Sequence, residues 1–391
     1  MATFVFWAAV GLIVYHHVGY PALVRLLLVL RTPRPSRRGR DAAFRPSVTI
    51  IVPAHNEEAV IEAKIRNLGA IDYPAGKLVV VVALDGCLDA TRALAEAALS
   101  TQPPGRIVLT EYDPNIGKVA VLNDQITRAR SEIVVLTDAS ALVAANALVE
   151  GVPHFADPAV GVVTGRYSVA GLDGHGEAAY WRYQSDLRAG ESALGGPMGA
   201  HGAFYLFRRS AWTSLPVDTI NDDFVLPMSI VLRGFRAVFE PAIVATEMER
   251  SKSRQEFRRR IRIGAGNLQQ AVRLARLGDP RRGWIAFAFL SGKGIRGILP
   301  FLLVAMIGAS LALAVEGSTA FALIACAECL AVVLAVWGSR VPGMREGRLS
   351  GTLLYLLEGY LALAVGAGFV LLRRGGKVWR LSKTANEDPS A

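Results

Sequence analysis

LVVVVALDG, residues 78–86, is an apolar run rich in β-branched residues that stops on Asp85 and Gly86. A run of this kind, closed by a turn signal, reads as a β-strand with an acid at its carboxyl end. Three further stretches carry acids in the same setting, each read as following a strand: Val52-Pro53-Ala54-His55-Asn56-Glu57-Glu58, Thr137-Asp138-Ala139-Ser140 and Asn221-Asp222-Asp223. In an open α/β sheet the carboxyl ends of the strands meet at one crevice, so acids placed there converge on a single ligand. Convergent carboxylates suit a metal, a nucleotide and a proton transfer.

Outward from this strand the pattern repeats. Ser47 to Pro53 reads as a buried strand, Glu57 to Leu68 as a helix, and Ala90 to Leu99 as a second helix that Asp89 can cap. Arg106 to Thr110 and Glu132 to Thr137 read as strands flanking a helix at Val119 to Arg130. Alternation of strand and helix predicts an α/β domain built on a parallel sheet.

Each acidic turn has a chemical reading and a plainer one. Asp85 precedes Gly86, where the backbone can approach a flat ligand while the carboxylate accepts from ring N–H groups or ribose hydroxyls; a type I turn is the alternative. Lys118, in Asn115-Ile116-Gly117-Lys118, falls at a helix start, where free N–H groups and a cation favour phosphate. Asp138 and Ser140 supply oxygens of the kind a hard divalent cation takes beside a diphosphate, and a helix amino-cap competes with that reading. Asp222 and Asp223 precede the apolar Phe224-Val225-Leu226, which would desolvate them and leave one as a general base; here too a helix cap is the alternative.

The 391 residues are 52% apolar with a mean hydropathy of +0.34, too hydrophobic for an ordinary soluble pair of domains. Residues 1–30 read as an uncleaved anchor, since a signal peptide wants a basic start and a small-residue cleavage site. Residues 31–45, with Arg31, Arg34, Arg37, Arg38, Arg40 and Arg45, read as a basic juxtamembrane linker held in the cytoplasm. Residues 46–280 form the soluble domain, 281–296 an interfacial segment around Trp284 to Leu290, and 297–372 three spans: about Gly297 to Val315, Ser318 to Trp337 and Thr352 to Leu372. Three spans put the tail, 373–391, outside, whereas its Arg373, Arg374, Lys377, Arg380 and Lys383 argue for inside. Within the spans, Glu328 and Glu358 read as interhelical hydrogen-bonding groups.

The formal net charge of +10 does not point to nucleic acid, because the arginine clusters adjoin apolar spans and no nucleic-acid-binding signature accompanies them. Cys326 and Cys329 have C-x-x-C spacing without polar context, so no disulfide framework follows.

Together these stretches resemble the membrane-bound family 2 glycosyltransferases, a group with the GT-A fold that includes cellulose, chitin, hyaluronan and poly-N-acetylglucosamine synthases. The resemblance rests on Ile50 to Glu58, Leu84 to Thr91, Asn115 to Asn123, Leu136 to Ser140, Gly199 to Arg209, Asn221 to Phe224, Phe239-Glu240-Pro241 and Arg258 to Asn267, with Phe289 to Pro300 like the family's entry into the membrane. It implies that Ala54, Glu57 and Asp85 hold the nucleotide base and ribose. Lys118 and Asp138 would face the diphosphate, Asp138 with Ser140 through Mg²⁺ or Mn²⁺. His201 and Gly202 would lie beside the donor sugar, Asp223 would be the general base, and Arg259 and Arg262 would meet the departing diphosphate.

Two departures bear on activity. Ser140 stands where the family has a second metal-binding acid, and Arg259 and Ile263 replace the Gln and Trp of the Q-x-x-R-W signature. Loss of that Trp argues against a long-polymer synthase. The resemblance thus implies an inverting transfer from a nucleotide-diphosphate sugar, with glucose or N-acetylglucosamine on UDP as the family's pattern, to a membrane-proximal glycan or lipid. The enzyme would be a multi-pass protein of a bacterial-type inner or plasma membrane with its catalytic domain in the cytoplasm. Trp181 and Tyr183, within Tyr180 to Ser192, are candidates for the acceptor groove and equally for core packing. A nucleotidyltransferase and a nucleotide-sugar sensor without turnover are the competing classes.

Overall fold

The computed structural model describes residues 1–30, 40–170, 175–248, 253–338 and 348–372. Arg31, Arg34, Arg37 and Arg38 of the linker, the tail 373–391, and the side chains of Tyr180 and Trp181 lie outside them. The chain forms an α/β unit, residues 28–173 and 178–250, and a helical unit, residues 1–27, 174–177 and 251–391.

The strands are β1 Val48–Ala54, β2 Leu78–Asp85, β3 Ile107–Tyr112, β4 Ile133–Leu136, β5 Ala141–Val143, β6 Val160–Val169, β7 Tyr205–Arg208 and β8 Arg236–Glu247. The helices are α1 Ala2–Val14, α2 Tyr20–Leu30, α3 Ile61–Gly69, α4 Thr91–Leu99, α5 Lys118–Arg128, α6 Ala147–Gly151, α7 His175–Leu194, α8 Asp222–Leu232, α9 Ser253–Arg273, α10 Trp284–Ala288, α11 Ile295–Val315, α12 Thr319–Gly338 and α13 Arg348–Leu371.

All eight strands form one sheet in the order β3-β2-β1-β4-β7-β6-β8-β5. The half from β3 to β4 is parallel, as the strand–helix alternation requires. Beyond it the sheet is mixed, not wholly parallel: β7 runs antiparallel to both β4 and β6, and β5 antiparallel to β8. Reversal of β7 brings its first residue, Tyr205, opposite Leu136 at the carboxyl end of β4. A functional side chain therefore enters the crevice from a strand start. The core is aliphatic; Ile50, Val52, Val80, Val82 and Val135 are fully buried.

Several boundaries differ from those expected. Helix α3 starts at Ile61, four residues after Glu57, because the preceding turn is tied to the next loop: Glu57 N–H donates to Thr91 Oγ1 (2.7 Å) and Glu58 N–H to Asp89 Oδ2 (3.2 Å). Its buried face is Ile61, Lys64, Ile65 and Leu68. Asp222 and Asp223 do not follow a strand; they form the first turn of α8 behind Asn221, where the helix dipole favours negative charge. Glu240, of the Phe239-Glu240-Pro241 stretch, is a core residue that pairs with His154 Nε2 at 2.9 Å and accepts Ala242 N–H on its other oxygen.

Among the described residues two runs are long and apolar enough to cross a membrane, Ala2–Leu30 and Trp284–Val315. Thr319–Leu334 and Leu357–Leu371 are shorter apolar helices. Trp284 to Leu290 runs through a π-helical turn, Phe289–Gly294, straight into α11. A second π turn, Tyr15–Gly19, joins α1 to α2. The two turns meet through Ser291, whose hydroxyl bonds Tyr15 Oη at 2.8 Å and whose carbonyl lies 3.1 Å from His16 Nδ1. Glu328 of α12 is hydrogen-bonded to Ser310 of α11, the interhelical role expected of a carboxylate within an apolar helix. Cys326 and Cys329 are free thiols.

Candidate active site

Three loops at the carboxyl ends of β1, β2 and β4 build the site. Asp85 organises the first two. It is 3% exposed, its Oδ1 accepts Ile116 N–H (2.7 Å), and its Oδ2 accepts Gly117 N–H and Asn115 Nδ2, both at 2.9 Å. His55 Nδ1 and Asn115 Nδ2 also converge on the Asp85 carbonyl. Asp85 therefore shapes the loop that launches α5, its oxygens accepting from that backbone and from Asn115. Gly117, with φ +92°, then turns the chain so that Lys118 becomes the first helical residue.

Lys118 is the electrostatic centre. Its Nζ lies 2.9 Å from Asp138 Oδ1 and 3.4 Å from Asp222 Oδ2, with Asp223 close enough to add its charge. Burial works against the ammonium, but Asp138 and then Asp222 hold its pKa above the ordinary lysine value. Conversely, burial would raise Asp138, and the Lys118 charge and hydrogen bond, helped by His201 and Lys64, bring it down to about 2. Both ions are thus fixed in their charged forms.

Gly202 admits this carboxylate. A Cβ at position 202 would stand 2.6 Å from Asp138 Oδ2, and the Gly202 carbonyl accepts Asp138 N–H at 3.1 Å. His201 stacks on Tyr167 with ring centroids 3.6 Å apart, and its Nδ1 accepts Ala203 N–H at 3.2 Å, which leaves Nε2 to carry the proton of the neutral ring. The same loop is tied to α8 by Ala200 N–H donating to the Asp223 carbonyl at 3.1 Å. That carbonyl is available because the residue four positions on, Pro227, has no N–H to close the helical bond.

The structure thus brings together Lys118, Asp138, Gly202, Asp222 and Asp223, with His201 alongside. Ala54 ends β1 as a buried residue, and Glu57 opens the turn that follows. Ser140 follows Asp138, and its carbonyl accepts Met248 N–H. Arg259 and Arg262 lie on α9 of the helical unit. No group of three or more His, Cys, Asp or Glu able to hold a metal by itself occurs among the described residues. The donor chemistry still suits a divalent cation that takes its remaining oxygens from a diphosphate. Asp138 is a hard carboxylate, ionised and one-third exposed, already facing the positive charge of Lys118.

A family model described as "Glycosyltransferase like family 2" matches residues 46–266, more than half of the chain. The chain belongs to glycosyltransferase family 2. It is similar to the beta-monoglucosyldiacylglycerol synthase of Trichormus variabilis, 30% identical over 225 residues that cover 55% of this chain and 48% of the relative. It is also similar to the poly-beta-1,6-N-acetyl-D-glucosamine synthase of Staphylococcus aureus, 24% identical with 58% and 56% covered. The chain spans about half the length of these curated relatives or less, 35% for the Synechocystis monoglucosyldiacylglycerol synthase. Among solved structures, the mannosyltransferase PcManGT of Pyrobaculum calidifontis, in complex with GDP-Man and Mn²⁺, superposes with a TM-score of 0.70 at 28% identity. That match covers 92% of this chain and 98% of the mannosyltransferase.

Two features of this family 2 glycosyltransferase escape the sequence reading. Lys64 is fully buried under the Asp138 loop, its Nζ bonding Thr137 Oγ1 (2.7 Å) and the Ala141 carbonyl (2.5 Å), while Thr137 Oγ1 donates to the Ala203 carbonyl at 2.6 Å. Its signal is the spacing Ile61, Lys64, Ile65, Leu68, which puts one cation on an apolar helical face. Tyr205 shares a pocket with Lys118, Asp138, Gly202 and Asp222. Burial, and then the nearby Asp222, Asp223 and Asp138 charges, push its phenol well above the usual range, so the hydroxyl keeps its proton.

Proposed function

We propose that this family 2 glycosyltransferase performs a single inverting displacement, moving a hexose or N-acetylhexosamine from a nucleotide-diphosphate sugar to a membrane-proximal glycan or lipid. The observation that carries this reading is Lys118 held between Asp138 and Asp222 in a pocket at the carboxyl ends of β1 and β4, inside the family-matched region. An acceptor hydroxyl is too weak an acid to attack unaided, and Asp223, in the first turn of α8, is the carboxylate assigned to take its proton. Lys118 would turn from the acids to the diphosphate, where α5 also presents its free N–H groups. Asp138, with Ser140, would hold Mg²⁺ or Mn²⁺, which when bound neutralises charge on the leaving diphosphate. Arg262 and Arg259 are assigned to the same leaving group by family likeness.

The donor assigned is UDP-linked, in line with the family's polysaccharide synthases. GDP-mannose is the second reading, favoured by the 28% identical mannosyltransferase that was solved with it. Membrane residence is assigned to the runs Ala2–Leu30 and Trp284–Val315, with the catalytic domain in the cytoplasm, and no nucleic-acid partner is invoked.

The test is nucleoside diphosphate release by detergent-purified full chain with Mn²⁺, membrane lipid and a panel of UDP and GDP sugars, beside Asp223→Asn. Release with one donor, lowered about 10²-fold or more by the substitution, supports the transferase. Equal release by the variant removes Asp223 as base; binding without release favours the sensing class.

A further inference from the structure

The pocket around Lys118 holds two incompletely satisfied groups of opposite character. The Tyr205 hydroxyl is buried and has no hydrogen-bond partner among the described residues. Asp222 is 7% exposed, and its charged partner among the described residues, the Lys118 ammonium, stands at 3.4 Å, beyond good hydrogen-bond length. Both side chains line the same pocket, and no hydrogen bond joins them. A buried polar group left unpaired is costly, so a ligand group that reaches such a pair once Lys118 has turned to the diphosphate gains by completing it.

The chemistry of the missing group follows from what it must do. It has to accept the phenol proton of Tyr205 and donate to the carboxylate of Asp222. An ammonium cannot accept, and a phosphate oxygen would satisfy Tyr205 while opposing Asp222. A hydroxyl does both, and a water does the same, so unchanged ligand binding by a Tyr205 variant would assign the place to water. Resting on the glycosyltransferase reading, we infer that Tyr205 and Asp222 together read one hydroxyl of the donor's sugar ring. Asp222 is thereby assigned to donor recognition, leaving proton transfer to Asp223. Neighbouring carboxylates then differ in role because only Asp222 shares the Tyr205 pocket lining.

The test measures equilibrium binding to the full chain in detergent with Mn²⁺, using UDP-glucose, UDP-N-acetylglucosamine and GDP-mannose, then the monodeoxy sugar analogues of whichever binds. One deoxy position should weaken binding about ten- to a hundredfold, as expected when a site built for a hydroxyl meets a ligand lacking it. Tyr205→Phe should weaken the intact sugar nucleotide by a similar factor and show no further loss with that analogue. It should bind the sugar-free nucleoside diphosphate as wild type does, and melt no lower than wild type without ligand, since it discards an unpaired hydroxyl. Should Tyr205→Phe fail to fold, Asp222→Asn must show the same missing discrimination. Unchanged binding by Tyr205→Phe, or independent and multiplying losses, overturns the inference alone. An equal loss for the sugar-free diphosphate also overturns it, as a phosphate contact. Wild-type protein that binds none of the three donors overturns the transferase reading with it.

Discussion

At the residue scale, Lys118 sits between Asp138 and Asp222 while a second cation, Lys64, is buried beneath the Asp138 loop. Asp85, Asp138, Asp222 and Asp223 stand out because each follows an apolar run or opens one, a purely local pattern. That Asp85 spends its oxygens on Ile116 and Gly117, some thirty residues on, depends on a loop closing in space. Lys64 is the sharpest case. Burial lowers its pKa from 10.5 to about 7, against the pull of Asp138 and Glu247. Since the folded value lies below the unfolded one, the unfolded chain binds the extra proton between about pH 7 and 10.5. Stability therefore rises with pH through that window and gains nothing from this group below about pH 7. Chemical unfolding in detergent at pH 6.5 and pH 9 should show wild type more stable at the higher pH. Lys64→Met should lose that part of the difference. An identical pH response in the two proteins would mean the amine stays protonated, with Thr137 and Ala141 as sufficient partners.

At the element scale, β1 to β4 and the helices between them were foreseen because strand and helix periods alternate cleanly there. Beyond β4 the alternation fails. Strand β7 is four residues long, too short to declare its direction, and its antiparallel setting is a tertiary outcome. Helix α8 was anticipated as the alternative reading of Asp222 and Asp223 at a helix cap, and its internal Pro227 is the informative position. Proline within a helix forfeits a backbone bond, and here the freed Asp223 carbonyl takes the N–H of Ala200. Pro227→Ala restores a competing N–H inside the helix. The expected result is a helix no less stable, with faster amide exchange at Ala200. Losing one net hydrogen bond from the loop should raise donor KM about three- to tenfold. Unchanged exchange at Ala200 would show that the loop holds its place without the Asp223 carbonyl.

At the scale of the whole molecule, composition marks out the apolar helices, because hydropathy sums over long windows and needs no partner, whereas the charged α9 joins the helical unit without an apolar signal. What composition omits is how the helices pack. The approach of α9 to α13 is set by two glycines: a Cβ on Gly366 would fall 2.3 Å from the Ile261 carbonyl oxygen and 2.6 Å from Ala265 N, and one on Gly264 would fall 2.8 Å from Leu363 Cα. Backbone meets backbone at this crossing, as small residues on facing helices permit. The two glycines stand about a hundred residues apart in the sequence and meet only once the chain has folded. Gly368, two residues on, has open space around it and serves as the control. Gly366→Leu should cost about 1–3 kcal/mol or more, because the atoms in the way are main chain and cannot rotate aside. The thermal midpoint in detergent should drop by several degrees, while Gly368→Leu leaves it within about one. Equal midpoints for the two variants would mean that α9 and α13 do not approach through these glycines.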